Sequence, residues 1–248
     1  ETVTLAIDMQ CTQSISSRNR GVGRLFTTLV FSLLRTDYFD KIYLFFSNNH
    51  SIPNEFLKST GFLIETFDSL ENEKIPYSFK QISRSLQIEA KNPDIILTGH
   101  LFEGFNEPDI VPILPIIKSS TFYTALIYDL IPLIFPENYL KSENFRNWYK
   151  EKCEQLRLFD NLFSISNSTK NDHINILKIP EDNITFIGGG INKGFEELAI
   201  NKSPYLRNLD ELENEKFILF VGGDDFRKNI SKLVMGFCDY YKKSNNNL

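Results

Sequence analysis

Apolar residues fall into short blocks separated by stretches of helical spacing. Leu5, Ala6 and Ile7 form the first block, which Asp8 closes. Blocks of strand length recur at 41–46 (KIYLFF), 62–67, 95–97, 121–127, 161–165 and 183–187. Between them the period changes. From Val22 onward, Leu25, Phe26, Leu29 and Leu33 follow i, i+3, i+4 spacings, and over 77–90 Phe79, Ile82, Leu86 and Ala90 share one face. A long amphipathic helix is predicted from about 139 to 159, holding the sole tryptophan, Trp148. Another is predicted through about Leu177, with Asn167 or Ser168 as its cap. Strands alternating with helices in this way argue for a Rossmann-like α/β fold, a parallel sheet covered on both faces. Ligands of such sheets bind beyond the carboxyl ends of the strands.

The residues that follow each strand therefore carry the candidate chemistry. After the first strand comes a serine-rich loop in which Arg18, Arg20 and Arg24 bracket Gly21 and Gly23. A glycine turn at a helix N-terminus aims free N–H groups and the helix dipole at an anion, and arginines add forked donors. The alternative is an ordinary strand-to-helix connection with solvated arginines. The dinucleotide fingerprint is absent, since about a dozen residues separate Asp8 from Gly21 and Phe26 stands at the third glycine position. The fourth strand leads into 98–105 (TGHLFEGF), the fifth into Tyr128-Asp129-Leu130-Ile131-Pro132, and the seventh into Gly188-Gly189-Gly190. Each also has a plainer reading. Asp129 could cap a turn, Glu103 could be solvated, His100 could be a core histidine, and the glycines could form a flexible turn.

Beyond residue 191 the pattern dissolves into a polar stretch with Pro204, read as a linker over 192–215. A new strand is predicted at 217–221 (FILFV). Gly222 to Asn229 (GGDDFRKN) and a helix with Leu233, Val234 and Phe237 inward follow. This yields a first domain over 1–191 and the opening of a second over 216–248. Arg227 and Lys228 stand where basic residues oppose a helix dipole, which suggests an anion there.

The composition narrows the class. Of 248 residues, 42% are hydrophobic and 24% charged, as in soluble globular proteins. A net charge of -5 argues against a nucleic-acid partner. Cys11, Cys153 and Cys238 are odd in number and show no CxxC spacing, and the histidines are scattered. Neither a disulfide framework nor a metal site is expected, and a reducing, cytoplasmic setting fits. The start lacks a basic region and apolar core, so no signal peptide is expected. The most apolar stretch, 124–135, is broken by Asp129 and Pro132 and is too short to span a bilayer. With no initial Met and a polar end, the chain reads as a fragment.

Six pieces in order resemble one family: IDMQ with RGVGR, LFEGF, YDLIP, SISNSTKNDHINIL, FIGGGIN and FVGGDDFRKN. Together they are similar to the retaining glycosyltransferases of family four, of GT-B fold, in the bacterial mannosyltransferase-like branch that extends surface polysaccharides. The resemblance implies transfer from a nucleotide diphosphate sugar to a glycan or lipid-linked acceptor, without a cofactor. It implies that Gly21, Gly23, Arg227 and Lys228 face the donor phosphates and that Asp129 and Tyr128 belong to the catalytic cleft. Arg18, Arg20 and Glu103 are expected toward the acceptor. Many relatives carry His where Tyr128 stands and Arg where Gly223 stands. Peripheral association with the cell membrane and self-association are further partner expectations. The family's donor-binding carboxylates lie late in the second domain, so this chain alone is expected to be inactive. The competing expectation is a non-catalytic acceptor-binding or assembly module, and a nicotinamide enzyme is disfavoured by the missing fingerprint.

Overall fold

Seven strands form one parallel sheet: β1 (Thr4–Asp8), β2 (Lys41–Ser47), β3 (Leu63–Phe67), β4 (Ile95–Thr98), β5 (Phe122–Ile127), β6 (Asn161–Ser164) and β7 (Ile184–Phe186). Their order is β3-β2-β1-β4-β5-β6-β7, and every neighbouring pair runs parallel. The computed structural model describes residues 2–68, 75–116, 119–190, 217–223 and 225–244. The order reverses between β1 and β4, so the loops leaving these strands diverge and open a crevice at their carboxyl ends.

Alternation along the strands divides the core in two. Leu5, Ile7, Leu44, Phe46, Leu97 and Leu126 point to one face. There α1 (Gly21–Leu33) covers them with Phe26 and Val30, and the short α2 (Asn54–Leu57) adds Phe56, stacked on Phe31 at 4.8 Å. Ala6, Phe45, Ile96, Ala125 and Leu162 point to the other face. Ile88 of α3 (Tyr77–Glu89), Tyr149 and Cys153 of α6 (Glu143–Gln155) and Leu177 of α7 (Asn167–Leu177) cover that side. Each fully buried Phe or Leu contributes about 1.5–3 kcal/mol of transfer free energy. The α/β architecture expected from the sequence is the one observed.

Two local expectations are corrected. The long helix expected over 139–159 is divided. One-turn helices α4 (Ile131–Ile134) and α5 (Pro136–Tyr139) precede α6, whose start is set by the Ser142 side chain accepting from Phe145 N, and a 3-10 turn follows at Leu156–Leu158. The cap of α7 is Ser166, whose Oγ accepts from Thr169 N at 3.0 Å, so neither Asn167 nor Ser168 fills that place.

The helix predicted over 77–90 is present as α3, and it turns its apolar stripe outward. Phe79, Ile82 and Leu86 are 66%, 46% and 55% exposed, while Gln81, Arg84 and Ser85 are buried. The reason lies in residues 109–114, a segment outside any strand that is buried from Ile110 on. Its backbone polar groups need partners that a sheet would otherwise supply. Gln81 Nε2 donates to Pro112 O at 2.9 Å, and Ser85 Oγ donates to Leu114 O at 2.6 Å and accepts from Leu114 N at 3.0 Å. Arg84 donates to Asp109 O at 2.9 Å and to Gln10 Oε1. From β1, Asp8 Oδ2 accepts from Ile113 N at 3.1 Å, while Gln10 bonds both N and O of Val111. Burial raises the Asp8 pKa, an effect that the Gln10 and Ile113 donors and the Arg84 charge partly oppose.

The chain divides into two units, Glu1–Asn192 and Lys193–Leu248. The predicted linker lies outside the described residues. In the second unit, residues 217–221 form no strand and are exposed, since no neighbouring strand among the described residues pairs with them. A 3-10 turn at Phe226–Lys228 leads into α8 (Ile230–Lys243). No residue of α8 is buried, so the inward placement expected for Leu233, Val234 and Phe237 is not observed within its unit.

Candidate functional site

The loop after β1 is held from the loop after β4. A 3-10 turn at Gln10–Thr12 leads into the serines at 14, 16 and 17, and all three hydroxyls reach Glu103. Ser14 and Ser16 donate to its Oε2 at 2.6 Å each, and Ser17 donates to Oε1. His100 Nδ1 lies 2.8 Å from the same Oε1. Glu103 is 1% exposed. Burial alone would raise its pKa, but the His100 hydrogen bond and the Ser14 and Ser16 hydroxyls hold it below the usual carboxylate value. Glu107 adds a second anchor, accepting from Ile15 N at 2.8 Å. Gly104 completes the β4 loop with φ +93, where a Cβ would lie 2.1 Å from Ile110 O.

This arrangement opens a cavity of about 380 Å³ at the carboxyl ends of β4 and β5. Phe102, Phe105, Phe145, Trp148 and Tyr149 form its aromatic wall. The wall is internally braced, with Phe145 stacked on Trp148 at 5.5 Å and Phe105 at 4.9 Å edge-on to Phe145. His100, Tyr128, Asp129 and Asn106 supply the polar side. Asp129 is exposed and its Oδ1 accepts from Ile131 N at 3.3 Å, a turn-capping bond. Tyr128 OH lies 3.5 Å from Val22 O, and burial pushes its pKa well up, so it stays protonated.

Not all residues singled out in the sequence meet here. Tyr128 and Asp129 line the cavity. Glu103 does not. It lies beneath the serine loop with its oxygens already engaged, so an acceptor cannot touch its carboxylate in this structure. Gly21 opens α1 with nothing within 4 Å of a notional Cβ, whereas Gly23 is buried against the serine loop. Arg20 is the N-cap of α1, and no side chain caps that end. Arg18 lines a separate polar cavity of about 190 Å³ with Gln13, Asn19 and Glu55. Arg227 and Lys228 belong to the second unit, where Arg227 forks onto Asp225 at 2.8 and 2.9 Å.

The sequence reading missed the aromatic wall, because Phe102 and Phe105 come from the loop after β4 while Phe145, Trp148 and Tyr149 come from α6, about forty residues further on. It also assigned His100 no role, although the acid that holds the ring stands three residues away. Behind the wall, Lys152 is buried with Nζ 4.6 Å over the Tyr77 ring, and burial lowers its pKa to about 7. Among the described residues, no group of three or more His, Cys, Asp or Glu could hold a metal ion, and no helix is long and apolar enough to cross a membrane.

The fold and site define a doubly wound α/β protein with an aromatic-walled cavity beside its topological switch point. No protein-family model matches the chain. Three curated relatives, each a serotype-specific mannosyltransferase WbdA from Escherichia coli, are 29% identical over 159 residues. That match covers 63% of this chain and 19% of theirs, so it spans about a fifth of the relatives' length. Among solved structures, a glycosyltransferase from Rickettsia africae ESF-5 superimposes with a TM-score of 0.49 and 16% identity, covering 88% of this chain and 51% of that one. The apo form of the lipopolysaccharide outer core galactosyltransferase WaaB gives 0.46 and 12%, covering 77% and 46%.

Proposed function

We propose that this chain supplies the acceptor side of a glycosyltransferase. The reaction is transfer of a hexose, with mannose the leading candidate, from a nucleotide diphosphate sugar to a glycan or lipid-linked acceptor. The setting is surface polysaccharide or glycoconjugate biosynthesis. The observation that carries this reading is the aromatic cavity with Asp129 and His100 at its polar side. Aromatic faces pack against the apolar C–H face of a pyranose, while polar groups at the rim take its hydroxyls. The likeness to the mannosyltransferases supports the same class.

In this reading Asp129 and Tyr128 touch the acceptor at the carboxyl end of β5. Arg18 and Arg20 flank the approach. Gly21 lets donor phosphates come close to the uncapped N-terminus of α1, whose dipole favours an anion. For the second unit, the family resemblance assigns Arg227 and Lys228 to donor phosphate. Charge that builds on the leaving diphosphate is offset by these donors, each worth roughly 2.7–4 kcal/mol by analogy with one oxyanion donor. Retention of configuration is taken from the family resemblance.

The test is a transfer assay on the protein that carries this chain, with GDP-mannose or UDP-sugars and a mannose-terminated oligosaccharide. A hexose added to the oligosaccharide, and lost with Asp129→Asn, supports the reading. Saccharide binding without transfer would instead mark a non-catalytic acceptor module.

A further inference from the structure

The hydrogen bonds around Glu103 assign a tautomer to His100. Both carboxylate oxygens are engaged, Oε1 by His100 and Ser17 and Oε2 by Ser14 and Ser16. An ionised carboxylate only accepts, so the His100 nitrogen facing it must carry the hydrogen. In the neutral ring Nε2 is then a bare acceptor. That is the opposite end of the ring, and among the described residues it has no hydrogen-bond partner. The ring is held from its flank by Tyr128, edge-on at 5.0 Å and 89°. Its side chain is 16% exposed and lines the aromatic cavity.

A bare imidazole nitrogen selects a donor. No Lys or Arg lines this cavity, and its one carboxylate, Asp129, repels anions. The ligand that suits these groups is neutral and rich in hydroxyls, with an apolar face for the aromatic wall. The geometry points to His100 Nε2 as the acceptor of a sugar hydroxyl's hydrogen bond, with Glu103 as the positioning residue that selects the tautomer. The identity of the ligand rests on the glycosyltransferase reading, and the tautomer does not.

The experiment uses the full chain labelled with 15N at histidine, titrated with methyl α-mannopyranoside and separately with inorganic phosphate. Imidazole nitrogen spectra report the tautomer, and His50 and His173 serve as internal controls. Trp148, the sole tryptophan, reports cavity occupancy independently by fluorescence. The expected result is an Nδ1–H tautomer at His100 whose Nε2 signal moves with the mannoside, in step with Trp148, and ignores phosphate. In Glu103→Gln the tautomer preference should weaken, and in His100→Phe mannoside affinity should fall about tenfold. An Nε2–H tautomer in the wild type overturns the proposal outright. Trp148 responding while His100 stays still overturns the role of His100 and leaves the sugar reading standing. Neither responding overturns both.

Discussion

Gly23 lies against Ser17 so closely that a Cβ on Gly23 would sit 2.6 Å from the Ser17 carbonyl oxygen and 2.8 Å from Arg18 Cα. Gly23 N also donates to that oxygen at 3.2 Å. The glycine is therefore needed where α1 packs on the serine loop, and this accounts for it without a ligand. Gly23→Ala is expected to lower stability by about 1–3 kcal/mol, the usual cost of overpacking. Gly21→Ala, with open space at that position, should change it by no more than about 0.5 kcal/mol. Urea unfolding of both variants checks this, and equal midpoints would contradict it.

The inverted face of α3 makes an unusual expectation. Replacing a large apolar residue there should matter less than replacing a polar one. Phe79→Ser should leave the unfolding midpoint almost unchanged. Gln81→Leu removes the donor to Pro112 O and the partner of Gln155, and should destabilise by about 1–3 kcal/mol. The reverse ranking would mean that the helix is turned the other way.

Lys152 should make stability depend on pH. Its Nζ is buried over Tyr77, donates to Gln155 Oε1 at 3.2 Å, and has a pKa lowered by burial to about 7, with Glu151 opposing the shift. Unfolded, the amine titrates near 10.4. Below about pH 7 the ammonium is charged in both states and the folded protein carries the full desolvation cost. Between about 7 and 10 the folded state releases a proton that the unfolded state keeps, so stability rises with pH across that window. Lys152→Met should flatten this rise and stabilise the protein at pH 6 by about 1–4 kcal/mol. Denaturation at pH 6 and pH 9 gives the slope. An unchanged slope in the variant would show that Lys152 is not its source.

These comparisons also mark what the sequence could reveal. The strand blocks were legible because a sheet buried on both faces needs near-continuous apolar runs, and 41–46 and 121–127 are such runs. The face of α3 was not, since periodicity reports an apolar stripe without saying which side the chain's own polar demands will claim. Those demands come from 109–114, more than twenty residues away in sequence. Tyr128 and Asp129 were legible as residues at a strand end. The clamp of Glu103 on the serine loop and the wall around Trp148 were not, because the first joins two distant loops and the second joins the loop after β4 to α6. In the second unit, 217–221 carries a strand-like pattern but lacks a partner strand among the described residues.

For the second unit the donor reading can be divided between two cations. Arg227 is already forked onto Asp225, so it meets a phosphate only by sharing or leaving that carboxylate. Lys228→Ala should therefore weaken binding of GDP by about tenfold while leaving guanosine unchanged, the size of one charge-assisted hydrogen bond. Titration of both ligands separates a phosphate contact from general damage, which would weaken the two alike.

The central claim is that the aromatic cavity at the ends of β4 and β5 takes a saccharide acceptor and not the nucleotide. Calorimetric titration of this chain with an α-linked mannobiose and with GDP-mannose tests it most directly. The account predicts saturable heat from the mannobiose that is lost in Trp148→Ala, and much weaker binding of GDP-mannose. Micromolar binding of GDP-mannose, with no heat from the saccharide, would contradict it.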